Sequence, residues 1–187
     1  MAAMSEVLAA EPLVRPLGVG PAPTAHRLPE NPLLGPLDVV PSRPELEVVG
    51  AFNPAAIRHG DEIILLLRVA ERPRQCLTPT ADACLVSLDD GDPRALPMDA
   101  GLDPEQLVGF AFFDSDTSPC GVRVGYLPRD TPGLDLHDSR ALGYRGRSYP
   151  SQISHLRVAR SHDGVHFVVD SEPALAPAGL LEEYGCE

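Results

Sequence analysis

Tryptophan is absent from this 187-residue chain, and basic charge is scarce. The basic residues number 15 against 27 acids, leaving a formal net charge of -12. Such a chain is repelled by phosphate backbones and by anionic lipid surfaces, so nucleic-acid and membrane partners are excluded as expectations. The basic residues are arginines, a bias that reads as genomic base composition rather than as function. The four cysteines, Cys76, Cys84, Cys120 and Cys186, form no C-x-x-C pair, which removes the usual basis for a zinc ribbon. The chain is also not short and cysteine-dense like a secreted mini-domain. The N-terminus lacks a basic region, and Glu6 and Glu11 interrupt its apolar stretch, so it makes a poor signal peptide. No run approaches the ~18 apolar residues of a membrane-spanning helix. The expectation is a cytoplasmic protein with free thiols.

What the chain has in quantity is proline and glycine, 21 and 16 residues, on a background that is 43% hydrophobic. The hydrophobic share is enough for a packed core. Proline ends helices and is kept out of central strand positions, so these punctuators predict many short elements joined by tight turns, an all-β architecture rather than a helical bundle. Residues 1–28 are Pro- and Ala-rich without period and read as a loosely ordered arm. Residues 29–47 read as extended chain laid over a surface. Glu47–Phe52 and Glu62–Ala70 are apolar, β-branched runs separated by His59-Gly60-Asp61, which predicts an antiparallel hairpin. The second run is apolar on both faces, as in a strand in the middle of a packed assembly. Arg68 is expensive to bury there unless paired. It is read either as reaching solvent at the strand end or as lining a polar pocket.

Residues 71–150 read as an insertion or elaborated loop region. Within it Cys84–Leu88, Leu107–Phe113 and Gly121–Leu127 are candidate strands, separated by turn-rich segments. Ile153–Ser161 alternates again. His162-Asp163-Gly164 supplies a turn and Val165–Asp170 returns as the next strand. Hairpins of this kind are the repeating unit of propeller blades. His162, Asp163 and His166 have the residue types of a metal site, but the spacing spans a hairpin, where the rings need not converge. Asp114, Ser115, Asp116 and Ser118 imitate the start of a calcium loop without its later glycine and glutamate. No metal is expected.

Several segments in order resemble one family. They are Asn31-Pro32-Leu33-Leu34, Gly50-Ala51-Phe52-Asn53-Pro54-Ala55, Leu65-Leu66-Leu67-Arg68-Val69, Ser161-His162-Asp163-Gly164-Val165-His166-Phe167, and finally Glu183-Tyr184-Gly185-Cys186-Glu187. This order is similar to the N-terminal part of the β-mannoside phosphorylases and mannosidases of glycoside hydrolase family 130. The resemblance covers residues ~29–70 and ~151–187 and implies a five-bladed β-propeller with its site on the central axis. About two of the five blades are expected here, with residues 29–187 as one domain carrying a loop-rich insertion. The family's general acid is the Asp of an E-x-x-G-x-E-D-P-R motif. The sequence ends at Glu187, one position earlier, so the chain reads as truncated and inactive alone, with no catalytic residue assigned.

The resemblance implies that Asn53 and Arg68 hold the sugar where the bond is broken. Asn donates and accepts as sugar hydroxyls do, and Arg offers a fixed donor fork. Asn53 is equally explained as a turn residue before Pro54. Ser154, His155 and Arg157 are read as substrate-binding residues of the same funnel, with an ordinary solvent-facing strand as the competing reading. The expected substrate is a β-mannoside oligosaccharide. Inorganic phosphate is the co-substrate of a phosphorylase, and no other cofactor is expected. Hydrolysis, a non-catalytic sugar-binding domain and a β-domain unrelated to sugars stay open, as does homo-oligomerisation.

Overall fold

The computed structural model describes residues 26–74, 83–87, 94–96, 103–113 and 122–177. The expected arm falls almost wholly outside them, as do the closing segment from Glu183, the calcium-like run from Asp114, and Cys76, Cys120 and Cys186. The described secondary structure is strand, apart from two single-turn 3-10 segments, Pro36–Asp38 and Pro104–Gln106. None of the described residues forms a helix long and apolar enough to cross a membrane.

The expected hairpin is present and longer than its apolar runs suggest. Strand β1 is Leu46–His59 and β2 is Glu62–Pro73, with Gly60 at φ 62 in the turn. A left-handed backbone angle costs glycine little. Strand β10, Ile153–Ser161, pairs antiparallel with the other edge of β2, and β11, Val168–Val169, pairs with β10. The four strands form one antiparallel sheet in the order β1-β2-β10-β11. This is a meander of the sort that builds a propeller blade, interrupted between its second and third strands. Strand β2 is therefore central, with a paired strand along each edge.

The interruption builds two further sheets. The first contains β3 (Ala83–Ser87), β4 (Arg94–Leu96), β5 (Leu107–Phe113) and β6 (Val122–Pro128), in the order β4-β3-β6-β5. Strands β3 and β6 pair in parallel, and the other pairs are antiparallel. The second is a small antiparallel sheet of β7 (Leu134–Asp135), β8 (Ala141–Tyr144) and β9 (Arg147–Pro150).

Side-chain alternation stacks the three sheets through β5. Leu107 and Ala111 join Leu46 and Ile153 of the first sheet, together with Val124 and Tyr126. Phe110 points the other way and packs with Leu127, Leu142, Tyr144 and Tyr149. The Phe110 and Tyr149 rings meet edge-on, centroids 5.5 Å apart. A strand covered on both faces reads as a continuous apolar run, as β5 does. Gly109 sits where an added Cβ would lie 2.5 Å from the Cβ of Pro73. Only the missing side chain lets β5 approach the end of β2 so closely. A third cluster, Val39, Leu67, Val69 and Ala159, lies on one face of the first sheet. The Pro-rich segment before β1 contributes its buried Val39, as chain laid over a surface should.

Candidate functional site

Cross-strand partners in an antiparallel sheet share a face, so register alone divides the first sheet's polar residues. Phe52, Arg68 and Leu156 are in register, as are Gly50, Ala70 and Ser154 beside them. Ala51, Val69 and His155 form the next row and point the opposite way. Arg68 and Ser154 thus share one face, while His155 and Arg157 share the other.

The face carrying Arg68 and Ser154 holds a pocket of about 530 Å³. Its floor comes from the sheet: Phe52, Arg68, Ala70, Ile153 and Ser154. Its wall comes from Asp138, Arg140 and Gln152. The guanidinium carbon of Arg68 lies 5.3 Å from the centre of the Phe52 ring, a cation–π contact that fixes both groups at the pocket. Gly50 makes room for it. A Cβ there would come within 2.6 Å of the Phe52 ring.

Asn53 does not line this pocket. It is exposed, adjacent to Phe52, with φ 49 at an irregularity in the β1–β2 register between Phe52 and Ala55. Asn is among the few residues that tolerate left-handed backbone, and a bulge re-aims its neighbours. The irregularity begins directly after Phe52, which stays in register with Arg68.

His155 and Arg157 lie on the far face in a buried polar cluster. Arg157 is fully buried, and its Nε donates to His155 Nε2 at 2.9 Å, while Nη1 donates to the Asp170 carbonyl at 3.2 Å. Because the guanidinium nitrogen always carries its hydrogen, His155 Nε2 must accept, and the imidazole proton resides on Nδ1. That nitrogen faces Glu71 Oε2 at 3.6 Å. Burial, helped by the positive charge of Arg157, pushes the His155 pKa down to about 4, so the ring is neutral. Burial also pulls the Arg157 guanidinium below its ordinary value, opposed by Glu71 and Glu172.

Glu71 itself is fully buried. It accepts from the Ser42 backbone N–H at 2.6 Å and from the Ser42 hydroxyl. Sequence reading missed it, because a glutamate beside two arginines and a proline looks like a strand leaving the core. Its place in the β2 alternation, two residues after Val69, was the available signal.

The His162–Phe167 segment differs from the expected hairpin. Asp163 Oδ1 accepts from the Ser161 hydroxyl at 2.9 Å and from the N–H groups of Val165 and His166 at 2.8 Å each, and Oδ2 meets His166 Nδ1 at 2.7 Å. These bonds hold the chain in a broad loop, so the returning strand shrinks to Val168–Val169. The His166 partnership holds the Asp163 carboxyl well below the usual range and raises His166 in turn. The two histidines do not converge: His162 approaches Asp61 and Glu62 instead. Among the described residues no group of three or more His, Cys, Asp or Glu could hold a metal ion.

No family model matches the chain. The chain is 32% identical, over 166 residues, to the beta-1,2-mannobiose phosphorylase of Listeria innocua, a match covering 87% of this chain and 39% of that protein. Its structure is similar to that of the Listeria innocua beta-1,2-mannobiose phosphorylase solved in complex with beta-1,2-mannobiose, with a TM-score of 0.58 and 29% identity. That likeness covers 84% of this chain and 38% of the solved one. The chain therefore spans well under half the length of the relatives it matches.

Proposed function

Because the chain is related to the mannoside phosphorylases of glycoside hydrolase family 130, we propose that its pocket holds a β-mannoside and that the whole protein cleaves this sugar by phosphorolysis in the cytoplasm. The observation that carries the proposal is the convergence of Arg68, Ser154 and Phe52 on one pocket in a chain of this ancestry. The three side chains supply what a sugar ring needs: a donor fork, a hydroxyl that donates and accepts, and an apolar ring surface.

In this reaction an acid protonates the leaving oxygen while phosphate attacks from the opposite side of the ring. Asp138 lines the pocket, but the Arg140 backbone N–H lowers its pKa, which suits a permanent carboxylate rather than a proton donor. On this reading the acid and the phosphate ligands are residues other than those that line this pocket. The residues here grip and orient the sugar.

Calorimetric titration with β-1,2-mannobiose tests the binding claim. Wild-type protein should bind, and Arg68→Ala should weaken binding by about tenfold or more, the loss expected for a charge-assisted hydrogen bond. Binding left unchanged by Arg68→Ala would remove the pocket from the proposal. Release of mannose 1-phosphate only when phosphate is supplied would identify the full-length enzyme as a phosphorylase. Free mannose irrespective of phosphate would make it a hydrolase.

A further inference from the structure

The pocket has two origins. Its floor belongs to the sheet of β1, β2 and β10, within the segments that carry the family resemblance. Part of its wall belongs to the segment between β2 and β10. Asp138 and Arg140 stand in the turn between β7 and β8 and reach the pocket because that turn is tied down. Asp135 Oδ1 accepts from the His137 N–H at 3.0 Å, and Asp138 Oδ1 accepts from the Arg140 N–H at 2.8 Å. The turn is then fastened to the approach to β10. The Ser151 N–H donates to the Arg140 carbonyl at 2.8 Å, and the Ser151 hydroxyl donates to the Ser139 carbonyl at 2.9 Å. Gln152, the next residue, completes the wall.

We propose that Asp138 and Arg140 form a second sugar subsite, which holds the ring on the far side of the scissile bond and sets which disaccharide the protein accepts. The inference rests on the sugar-binding reading of the pocket given above. Size supports it: about 530 Å³ lies within the ~300–1,000 Å³ of pockets that enclose drug-sized ligands, the scale of a disaccharide rather than one ring. Charge and hydrogen-bonding chemistry support it too. A carboxylate only accepts and a guanidinium only donates, so the pair can hold two neighbouring hydroxyls, one in each role. The Arg140 Nε stands 3.5 Å from Asp138 Oδ1, so the two charges offset each other and suit an uncharged ring better than an anion. Both side chains are exposed, 76% and 53%, so neither is committed to the core and both are open to a ligand.

The test is titration of the same chain with mannose and with β-1,2-mannobiose, in wild type, Asp138→Asn and Arg140→Gln. Asn keeps an oxygen for the Arg140 N–H, and an unchanged melting temperature would show that the turn is intact. The expected result is a loss of about tenfold in disaccharide affinity with less than a twofold change for mannose, in each variant. Equal losses for both sugars, or no loss for either, would overturn the second subsite while leaving the sugar-binding reading in place. Wild-type protein that binds mannose as tightly as the disaccharide would overturn it as well. Wild-type protein that binds neither sugar would end both proposals.

Discussion

His155 shows how far a residue's role depends on which way its strand faces. In sequence it is one of three polar residues, with Ser154 and Arg157, in a single strand, equally suited to a funnel or to solvent. In the structure it is buried as a neutral ring between Arg157 and Glu71. Its pKa of about 4 in the folded chain, against an ordinary value of 6.5, fixes the sign of a pH effect. Between those values the unfolded chain takes up a proton that the folded chain refuses, so stability falls as pH drops from about 6.5 toward 4 and stops changing on this account below that. The full effect is on the order of 3 kcal/mol. Urea denaturation of wild type and His155→Gln at pH 7 and pH 4.5 should show the wild type losing more stability over that interval. Parallel losses would show that His155 is not the group responsible. Titration of His166 runs the other way, since its raised pKa gives stability that is lost as pH rises, which is why the comparison must be made against the variant. Glu71 and Arg157 illustrate what residue-level reading cannot see. Charged side chains are almost never fully buried unless paired, and the Ser42 and Asp170 partners lie far away in sequence.

At the scale of elements, legibility follows sequence distance. The β1–β2 hairpin could be read because the alternation and the Gly60-Asp61 turn are local. The β5 and β6 runs could be read as strands for the same reason, but their order could not. The parallel pairing of β3 with β6 and the placement of β10 beside β2 depend on contacts across dozens of residues, which no turn chemistry announces. The loop after β10 was misjudged because Asp163 answers the backbone N–H groups that a tight turn would have left to the strands. Of the candidate site, Arg68 and Ser154 are legible in sequence and meet in one pocket, whereas Asp138, Arg140 and Gln152 are not, because their position is set by how the chain between β2 and β10 folds back. That packing is checkable at Gly109. Gly109→Ala would drive a methyl group into Pro73 and should cost about 1–3 kcal/mol in chemical denaturation, with loss of amide protection concentrated in β5 and the end of β2. An unchanged midpoint would mean that the two sheets can separate without cost.

At the largest scale, the three sheets of the described residues share two cores through β5. Leu46 sits 1% exposed in the cluster that joins the first sheet to the second. Leu46→Ala should cost about 2–5 kcal/mol and lower hydrogen-exchange protection in both sheets together. A loss confined to β1 would show that the sheets are independent units. The same connectivity sets a condition on biosynthesis. Strand β2 is finished at Pro73, but the neighbour for its second edge does not begin until Ile153. At ~5–20 residues per second the ribosome needs several seconds to supply the intervening stretch. Throughout that interval a strand with the apolar run Ile63–Leu67 presents an unpaired edge, the feature by which nascent chains recruit one another. The segment that gives the pocket its wall also lengthens the time for which a newborn copy needs shielding from its neighbours.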